Sequence, residues 1–202
     1  MKKTTKSYHH KNLYPALLEE AAKMIADDGV SSVTMRALGN RVGVSRSALY
    51  RHFQDKSDLL AAVAATGFSN LGNRIQVIVT DSPLPLEEQL EKLGEVYVRF
   101  ALENPAQYRL MYGQESISRS NLPALKAAGD ALFAMLRGVI RAFQEELGSA
   151  QQDTKALVYV AWSAVHGLAS LLIDEQFLVE VNLDILIDQT MRTVVNGIKV
   201  QA

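Results

Sequence analysis

The sequence predicts an all-α fold of about nine helices. Apolar residues recur three and four positions apart through almost the whole chain of 202 residues, which is the spacing of a helix face. Glycine, proline and capping residues fall between these periodic segments, where helices begin and end. No period-two alternation persists and no internal repeat is visible. We therefore expect helices joined by loops, without a sheet.

Three helices are expected in the first fifty residues. The first ends at the sequence DDG, where Gly29 can close it. The second, MRALGNRV, follows Thr34 as its N-cap and is closed by Gly43. The third, RSALYRHF, is capped by Ser45.

Six further helices follow. The fourth begins at Asp55 and continues to about Ile78, which is roughly 35 Å at 1.5 Å per residue. The sequence DSPLP then breaks the chain. The remaining helices are expected near 86–100, 104–112, 125–147, 151–173 and 183–199.

The helix near 156–173, ALVYVAWSAVHGLASLLI, approaches membrane-spanning length. A spanning helix needs roughly twenty mostly apolar residues, and Ser163, His166, Gly167 and Ser170 interrupt this one. We therefore expect it to be covered by protein on both sides and not to cross a membrane. One face should lie in the core of its own domain and the other against a second subunit.

Composition restricts the class of protein. The chain has no cysteine, which excludes a disulfide framework and a thiolate metal site. Its first twenty residues lack the apolar run of a signal peptide, so a cytoplasmic protein is expected. Residues 1–60 contain ten Lys and Arg against six Asp and Glu, whereas residues 61–202 contain eleven against sixteen. This asymmetry favours an anion-binding domain at 1–60 and an acidic second domain at 61–202.

Residues 34–53, TMRALGNRVGVSRSALYRHF, have the proportions of a helix–turn–helix. Gly43 can adopt the positive φ that ends the second helix, and Val44 can fill the corner between the second and third helices. Leu49 and Phe53 are four apart and should face inward. The outward face of a recognition helix aimed at the DNA major groove then consists of Arg46, Ser47, Tyr50 and Arg51.

The residue types on this face suit DNA recognition. Arg46 can donate two hydrogen bonds to a guanine edge, and the methyl group of Ala48 can contact a thymine methyl. Lys56 and the hydroxyl groups of Thr34, Ser47 and Tyr50 suit phosphate oxygens, which set register but carry little sequence information.

Over residues 11–60 the chain resembles the tetracycline-repressor-like (TetR) family of transcriptional regulators. The resemblance implies that Arg46, Ser47 and Ala48 contact base edges, and that phosphates are contacted by Thr34, Tyr50, His52 and Lys56. The expected DNA-binding set is completed by Arg36, Ser45 and Arg51. The resemblance also implies double-stranded operator DNA as partner, a homodimer, a small-molecule effector and no cofactor. The basic arm at residues 2–11 is either a free tail or a further phosphate contact.

The sequence WSAVHG, residues 162–167, resembles the Trp-His-Gly motif that names one C-terminal subtype of this family. Trp162 and His166 are four apart and share a helix face, and Gly167 allows another backbone or a ligand to approach closely. His166 either bonds a polar ligand group inside an apolar cavity or is a core histidine bonded to a backbone carbonyl or a neighbouring tyrosine. The candidate ligand residues, each of which could instead be ordinary core packing, are Tyr97, Phe100, Tyr108, Met111, Phe133, Trp162, His166 and Gly167.

The last two helices are expected to form a four-helix bundle with those of a second copy. The candidate interface residues are Leu157, Ala164, Leu171, Leu186, Val194 and Ile198. The sequence thus favours a homodimeric repressor that a small apolar or aromatic effector releases from its operator. The alternative is a constitutive DNA-binding or co-regulator protein whose second domain only dimerises or binds a protein partner. An enzyme with an appended helix–turn–helix ranks third, because HExxH, GxSxG and phosphate-loop motifs are missing.

Overall fold

The structure is a computed structural model that describes residues 13–81, 83–113, 123–149, 153–176 and 182–200. These residues form nine α-helices, one 3-10 turn at Val30–Ser32 and no strand, which confirms the all-α prediction. The basic arm expected at residues 2–11 lies outside the described residues. The helices are α1 Leu13–Asp28, α2 Met35–Val42, α3 Arg46–Leu49, α4 Lys56–Asp81, α5 Leu86–Glu103, α6 Pro105–Tyr112, α7 Pro123–Glu146, α8 Thr154–Ile173 and α9 Leu183–Val200.

The chain forms two compact units. The first contains the described residues up to Ala65 and those between Ala106 and Leu125, so it includes almost all of α6. The second contains residues 66–105 and the described residues from Lys126 onward. Helix α4 is continuous, begins in the first unit and ends in the second. The domain limits expected from the sequence, 1–60 and 61–202, remain a prediction.

The core of the first unit is formed by the apolar faces of α1 and α2 and by the end of α3. Leu17, Leu38 and Leu49 are fully buried there. A Cβ at Gly39 would lie 3.1 Å from Leu49 Cδ1, so glycine at this position lets α2 and α3 approach closely. Arg41 adds exposed ion pairs from α2 to two carboxylates of α1, and such pairs contribute about 0–1 kcal/mol each.

The third helix is shorter than the sequence predicted. It ends at Leu49 instead of continuing to Phe53. The backbone N–H groups of His52 and Phe53 both donate to the carbonyl of Leu49, at 2.9 and 3.0 Å, so the chain tightens into a turn. Leu49 and Phe53 are nevertheless both buried, which confirms the predicted inward face.

Helix α5 lies at the centre of the second unit, where it packs against both α8 and α9. A Cβ at Gly94 would lie 2.0 Å from the sulfur of Met191, so this crossing of α5 and α9 requires either glycine or a displaced methionine. Ion pairs also join the two helices, from Arg99 to Asp184 and from Lys199 to Glu87, both at 2.5 Å.

Helix α8 is apolar around most of its circumference, but only part of that surface is covered within one chain. Val158, Val165 and Leu168 are buried, whereas Val160 is 61% exposed and Leu171 is 47% exposed. By length and composition α8 could also cross a membrane, which alone is weak evidence for a span. Protein therefore covers one face of α8, as predicted. The other face is exposed in the single chain, so the predicted second subunit stays a prediction.

Candidate functional site

Two capped helices and the turn between them build the site in the first unit. Thr34 accepts a hydrogen bond from the N–H of Ala37 at 3.1 Å, and Ser45 accepts one from Ala48 at 3.3 Å, as the sequence predicted. Gly43 adopts the left-handed conformation, with φ 75°, and ends α2. These local contacts set α3 at the surface immediately after a tight turn.

The surface of α3 and of the turn after it is polar and positively charged. Arg46, Ser47, Tyr50, Arg51 and His52 are all exposed, as are Thr34, Arg36 and Ser45, and Ala48 is half-buried. The opposite side is occupied by the buried Leu49 and Phe53. The sequence-predicted DNA-binding residues of α3 and the turn after it, apart from the half-buried Ala48, are therefore exposed, whereas Leu49 and Phe53 face the core. The contacts of these exposed residues with DNA stay a prediction.

Within this surface Arg46 and Tyr50 contact each other. Arg46 Nη2 donates to Tyr50 Oη at 3.2 Å, and the guanidinium carbon lies 5.4 Å from the centre of the tyrosine ring. This hydrogen bond raises the pKa of Arg46 above its already high value, although an arginine is charged at physiological pH without it. The hydroxyl groups of Ser45 and Ser47 lie 3.0 Å apart and share a second hydrogen bond.

Lys56 has a contact that the sequence did not predict. Its ammonium group is half-buried and donates to the backbone carbonyl of Val30 at 2.8 Å. An ammonium group has three N–H donors, so a phosphate contact stays a prediction for this residue. Reciprocal hydrogen bonds at the start of α4, from Asp58 N–H to Asp55 and from Gln54 N–H to Asp58, fix the helix end that carries it.

Sequence reasoning missed Tyr14, which lies beside the site. Its ring stacks on Phe53 at 5.3 Å and contacts the ring of His52 at 5.8 Å. Tyr14 thereby holds His52 against α1. An aromatic residue one helical turn before the buried Leu17 was the available signal.

A second cluster lies in the second unit, where three residues meet at one hydroxyl group. Trp162 Nε1 donates to Tyr97 Oη at 3.1 Å, and Tyr97 Oη lies 3.1 Å from His166 Nδ1. Tyr97 accepts from Trp162, and its own O–H can donate to Nδ1 when the imidazole is neutral and carries its hydrogen on Nε2. The tyrosine bond considered for His166 as a core residue is therefore present, and a ligand role remains a prediction.

The other candidate ligand residues are divided between the two units. Phe133 is half-buried, and its ring begins an aromatic row that continues through Tyr159 to Trp162, at centroid distances of 5.1 and 6.4 Å. Phe100 is buried in the second unit, whereas Tyr108 and Met111 are buried on α6, which belongs to the first. A Cβ added at the half-buried Gly167 would meet no atom within 4 Å.

A cleft of about 630 Å³ lies between α5 and α9 of the second unit. Its walls combine apolar side chains such as Ile187 with carboxylates such as Glu91 and Asp188. None of the sequence-predicted ligand residues lines it. Among the residues that the structure describes, no group of three or more His, Asp and Glu is arranged to hold a metal ion.

The candidate dimer residues differ in accessibility. Leu157 and Ile198 are already buried within the single chain, and Ala164, Leu186 and Val194 are half-buried. Leu171 is exposed and lies on the same side of α8 as Val160, Ala164 and Gly167. The interface assignment stays a prediction. Val160 and Leu171 are the exposed residues of this stripe on α8.

A capped helix–turn–helix with a basic outer surface, followed by an all-α second unit, defines the class of helical DNA-binding regulators. The profile described as "Bacterial regulatory proteins, tetR family" matches residues 17–63. The profile described as "Tetracyclin repressor-like, C-terminal domain" matches residues 90–194, about half of the chain. The chain belongs to the TetR family. Its Trp-His-Gly subtype remains a prediction.

Similar proteins agree with this assignment. The transcriptional regulator AcrR of Shigella flexneri is 38% identical over 56 residues, which are 28% of this chain and 26% of AcrR. The chain spans half the length, or less, of the first curated relatives it matches.

Solved structures match over most of the chain. A protein of unknown function from Rhodococcus sp. RHA1 superposes with a TM-score of 0.84 at 27% identity, covering 96% of this chain and 98% of that one. FadR of Bacillus subtilis in complex with stearoyl-CoA superposes with a TM-score of 0.72 at 14% identity, covering 91% and 98%. The second likeness concerns the fold alone.

The Tyr97 cluster yields a stability prediction. Tyr97→Phe removes the hydroxyl group that joins Trp162 to His166, so we expect the free energy of unfolding to fall by about 1–3 kcal/mol. Urea unfolding followed by the fluorescence of Trp162 measures it. Tyr159→Phe removes a hydroxyl group from an exposed ring on the same helix as Trp162 and should change stability by less than about 0.5 kcal/mol. Equal effects of the two variants would contradict a structural role for the Tyr97 hydroxyl.

Proposed function

We propose that this protein is a cytoplasmic DNA-binding transcriptional regulator that uses α3 and the turn after it to read operator DNA. The observation that carries the proposal is the polar, cationic side of α3, held outward by the burial of Leu49 and Phe53. Arg46 and Ser47 are placed to contact base edges, and Tyr50, His52 and the cap of α2 to contact phosphates. Repression is the sign of regulation that we propose.

Two substitutions distinguish sequence-specific recognition of bases from contact with phosphates. Arg46→Ala should weaken binding to the preferred duplex selectively, by about 1–3 kcal/mol. Lys56→Ala should weaken binding to all duplexes and reduce the slope of log affinity against log salt by about one unit. Fluorescence anisotropy across salt concentrations, with a duplex selected from a random library by the wild-type protein, measures both effects.

Two controls accompany this experiment. Arg137→Ala removes the same charge from an exposed position of the second unit and should leave DNA affinity unchanged. Circular dichroism checks that Lys56→Ala keeps its fold, because this residue also bonds Val30. If neither Arg46→Ala nor Lys56→Ala changes affinity at any salt concentration, the placement of the recognition surface is wrong.

We propose further that two copies associate through the uncovered face of α8, together with α9. Two operator half-sites require two recognition helices related by a two-fold axis. The stripe on α8 consists of the exposed Val160 and Leu171 and the half-buried Ala164 and Gly167, which carry no charge, and Gly167 leaves room for a second backbone. An open apolar face of this kind is costly in water unless a partner covers it.

Introducing a charge tests the interface. Val160→Glu should convert a dimer to monomers, because the carboxylate would be buried without a partner. The matched control is Val77→Glu on α4, where the native side chain is 58% exposed, and this variant should remain dimeric. Sedimentation velocity at micromolar concentration distinguishes the two states. A wild-type monomer, or a dimeric Val160→Glu variant, would show that α8 is not the interface.

The effector that we propose is a small apolar or aromatic molecule bound in the second unit, near Trp162 and His166. The row of Phe133, Tyr159 and Trp162 offers apolar ring surface, and FadR, which shares the fold, binds stearoyl-CoA. Binding would tilt α4, which leads from the second unit into the helix–turn–helix unit. Arg74 ties α4 to α5 by bonding Glu103 at 2.6 Å and lying over the ring of Phe100 at 5.3 Å.

Allosteric coupling must be reciprocal, and this tests the effector proposal. Stearoyl-CoA and the apolar aromatic dye anilinonaphthalene sulfonate are titrated with and without the selected duplex while the emission of Trp162, the only tryptophan, is recorded. The duplex should weaken binding of an effector by about 5–150-fold, and the effector should weaken duplex binding by the same factor. A probe that shifts the emission but binds equally in both conditions would favour the constitutive DNA-binding alternative.

A further inference from the structure

The contact between Arg46 and Tyr50 joins two residues that DNA recognition uses differently. Arg46 is the first residue of α3 and Tyr50 follows its last residue, so four positions of helical geometry place the two side chains on one side. The guanidinium group is held twice, by the 3.2 Å hydrogen bond to the phenol oxygen and by its position 5.4 Å from the ring centre. An arginine side chain loses much conformational entropy when it is fixed in one position. Because Tyr50 already restrains Arg46, less of this entropy is lost when the protein binds DNA.

The chemistry of both groups permits this contact to persist on DNA. A guanidinium group has five N–H donors, and Nη2 spends one of them on Tyr50. The two hydrogens of Nη2 lie on different edges of the guanidinium group. The edge that does not bond Tyr50 therefore keeps two parallel N–H donors, as O6 and N7 of guanine require. The phenol oxygen accepts from Arg46 through a lone pair, so its own O–H can donate to a phosphate oxygen at the same time.

We propose that Tyr50 is a positioning residue that presents the Arg46 guanidinium to a base edge and so contributes to the choice of DNA sequence without contacting a base. A phosphate contact alone would strengthen binding to every sequence equally. Because Tyr50 also bonds Arg46, its contact with a phosphate fixes the position of the Arg46 guanidinium group, which reads the base. This inference rests on the proposed DNA-binding function.

A double-mutant cycle on the full-length protein tests the role of Tyr50. Tyr50→Phe keeps the ring and removes the hydroxyl group, and it is compared with Arg46→Ala and with the double variant. The probes are the duplex selected by the wild-type protein and a scrambled duplex of the same base composition. Arg137→Ala, which changes an exposed residue of the second unit, serves as control.

We expect Tyr50→Phe to reduce the ratio of affinities for the selected and scrambled duplexes about ten-fold. In the Arg46→Ala background the same change should lower both affinities by one common factor. Single base-pair substitutions should show that Tyr50→Phe and Arg46→Ala lose discrimination at the same position of the half-site. Arg137→Ala should leave the ratio unchanged.

Two results would overturn the inference and are distinguishable. If Tyr50→Phe lowers both affinities equally in the wild-type background, Tyr50 is a phosphate contact only, and the DNA-binding function stands. If the wild-type protein enriches no sequence from the random library, the proposed DNA-reading function fails and the inference fails with it.

Discussion

The burial of Leu49 and Phe53 is the constraint on which the exposed surface of α3 depends. Helix α3 has four residues, and isolated helices shorter than about 12–15 residues are marginal in water. Its conformation is therefore set by the packing of these two side chains and by the cap at Ser45, not by its own propensity. Because Leu49 and Phe53 occupy the inner side, Arg46, Ser47 and Tyr50 have only the outer side left. The outward direction of these polar side chains is thus a consequence of core packing.

Helix α4 is anchored in each of the two units by different chemistry. In the first unit, the Asp55 and Asp58 carboxylates cap its start and Lys56 bonds Val30. In the second unit, Arg74 binds a carboxylate and a ring face on α5. Helix α5 also carries Tyr97, so the Tyr97 hydrogen bonds and the partners of Arg74 lie on one helix. The exposed ion pair adds little stability, and its value here is that it ties the two helices together.

What the sequence could predict follows from the range of each interaction. Thr34, Gly43 and Ser45 were predictable because each acts on a backbone group within three or four residues. The Lys56 contact with Val30 joins residues 26 positions apart, and the two Tyr97 contacts join residues 65 and 69 positions apart. Local residue spacing could not predict contacts over such distances along the chain. Gly94 shows the same limit, because its need for a small residue comes from Met191 on a distant helix. Periodicity identifies the inner and outer faces of each helix, whereas partners far along the chain depend on how the helices pack.

The hydrogen bonds around Tyr97 would also constrain the effector that we propose. The indole N–H of Trp162, the phenol O–H and Nδ1 of His166 are matched to one another. A ligand that bonds the indole N–H, the phenol O–H or Nδ1 of His166 must replace one of those bonds, because leaving a buried polar group unpaired costs about 1–3 kcal/mol. A ligand that packs only against the ring faces of Phe133, Tyr159 and Trp162 breaks no hydrogen bond and gains burial of apolar area. The effector site that we propose would therefore favour molecules that are apolar where they meet these rings.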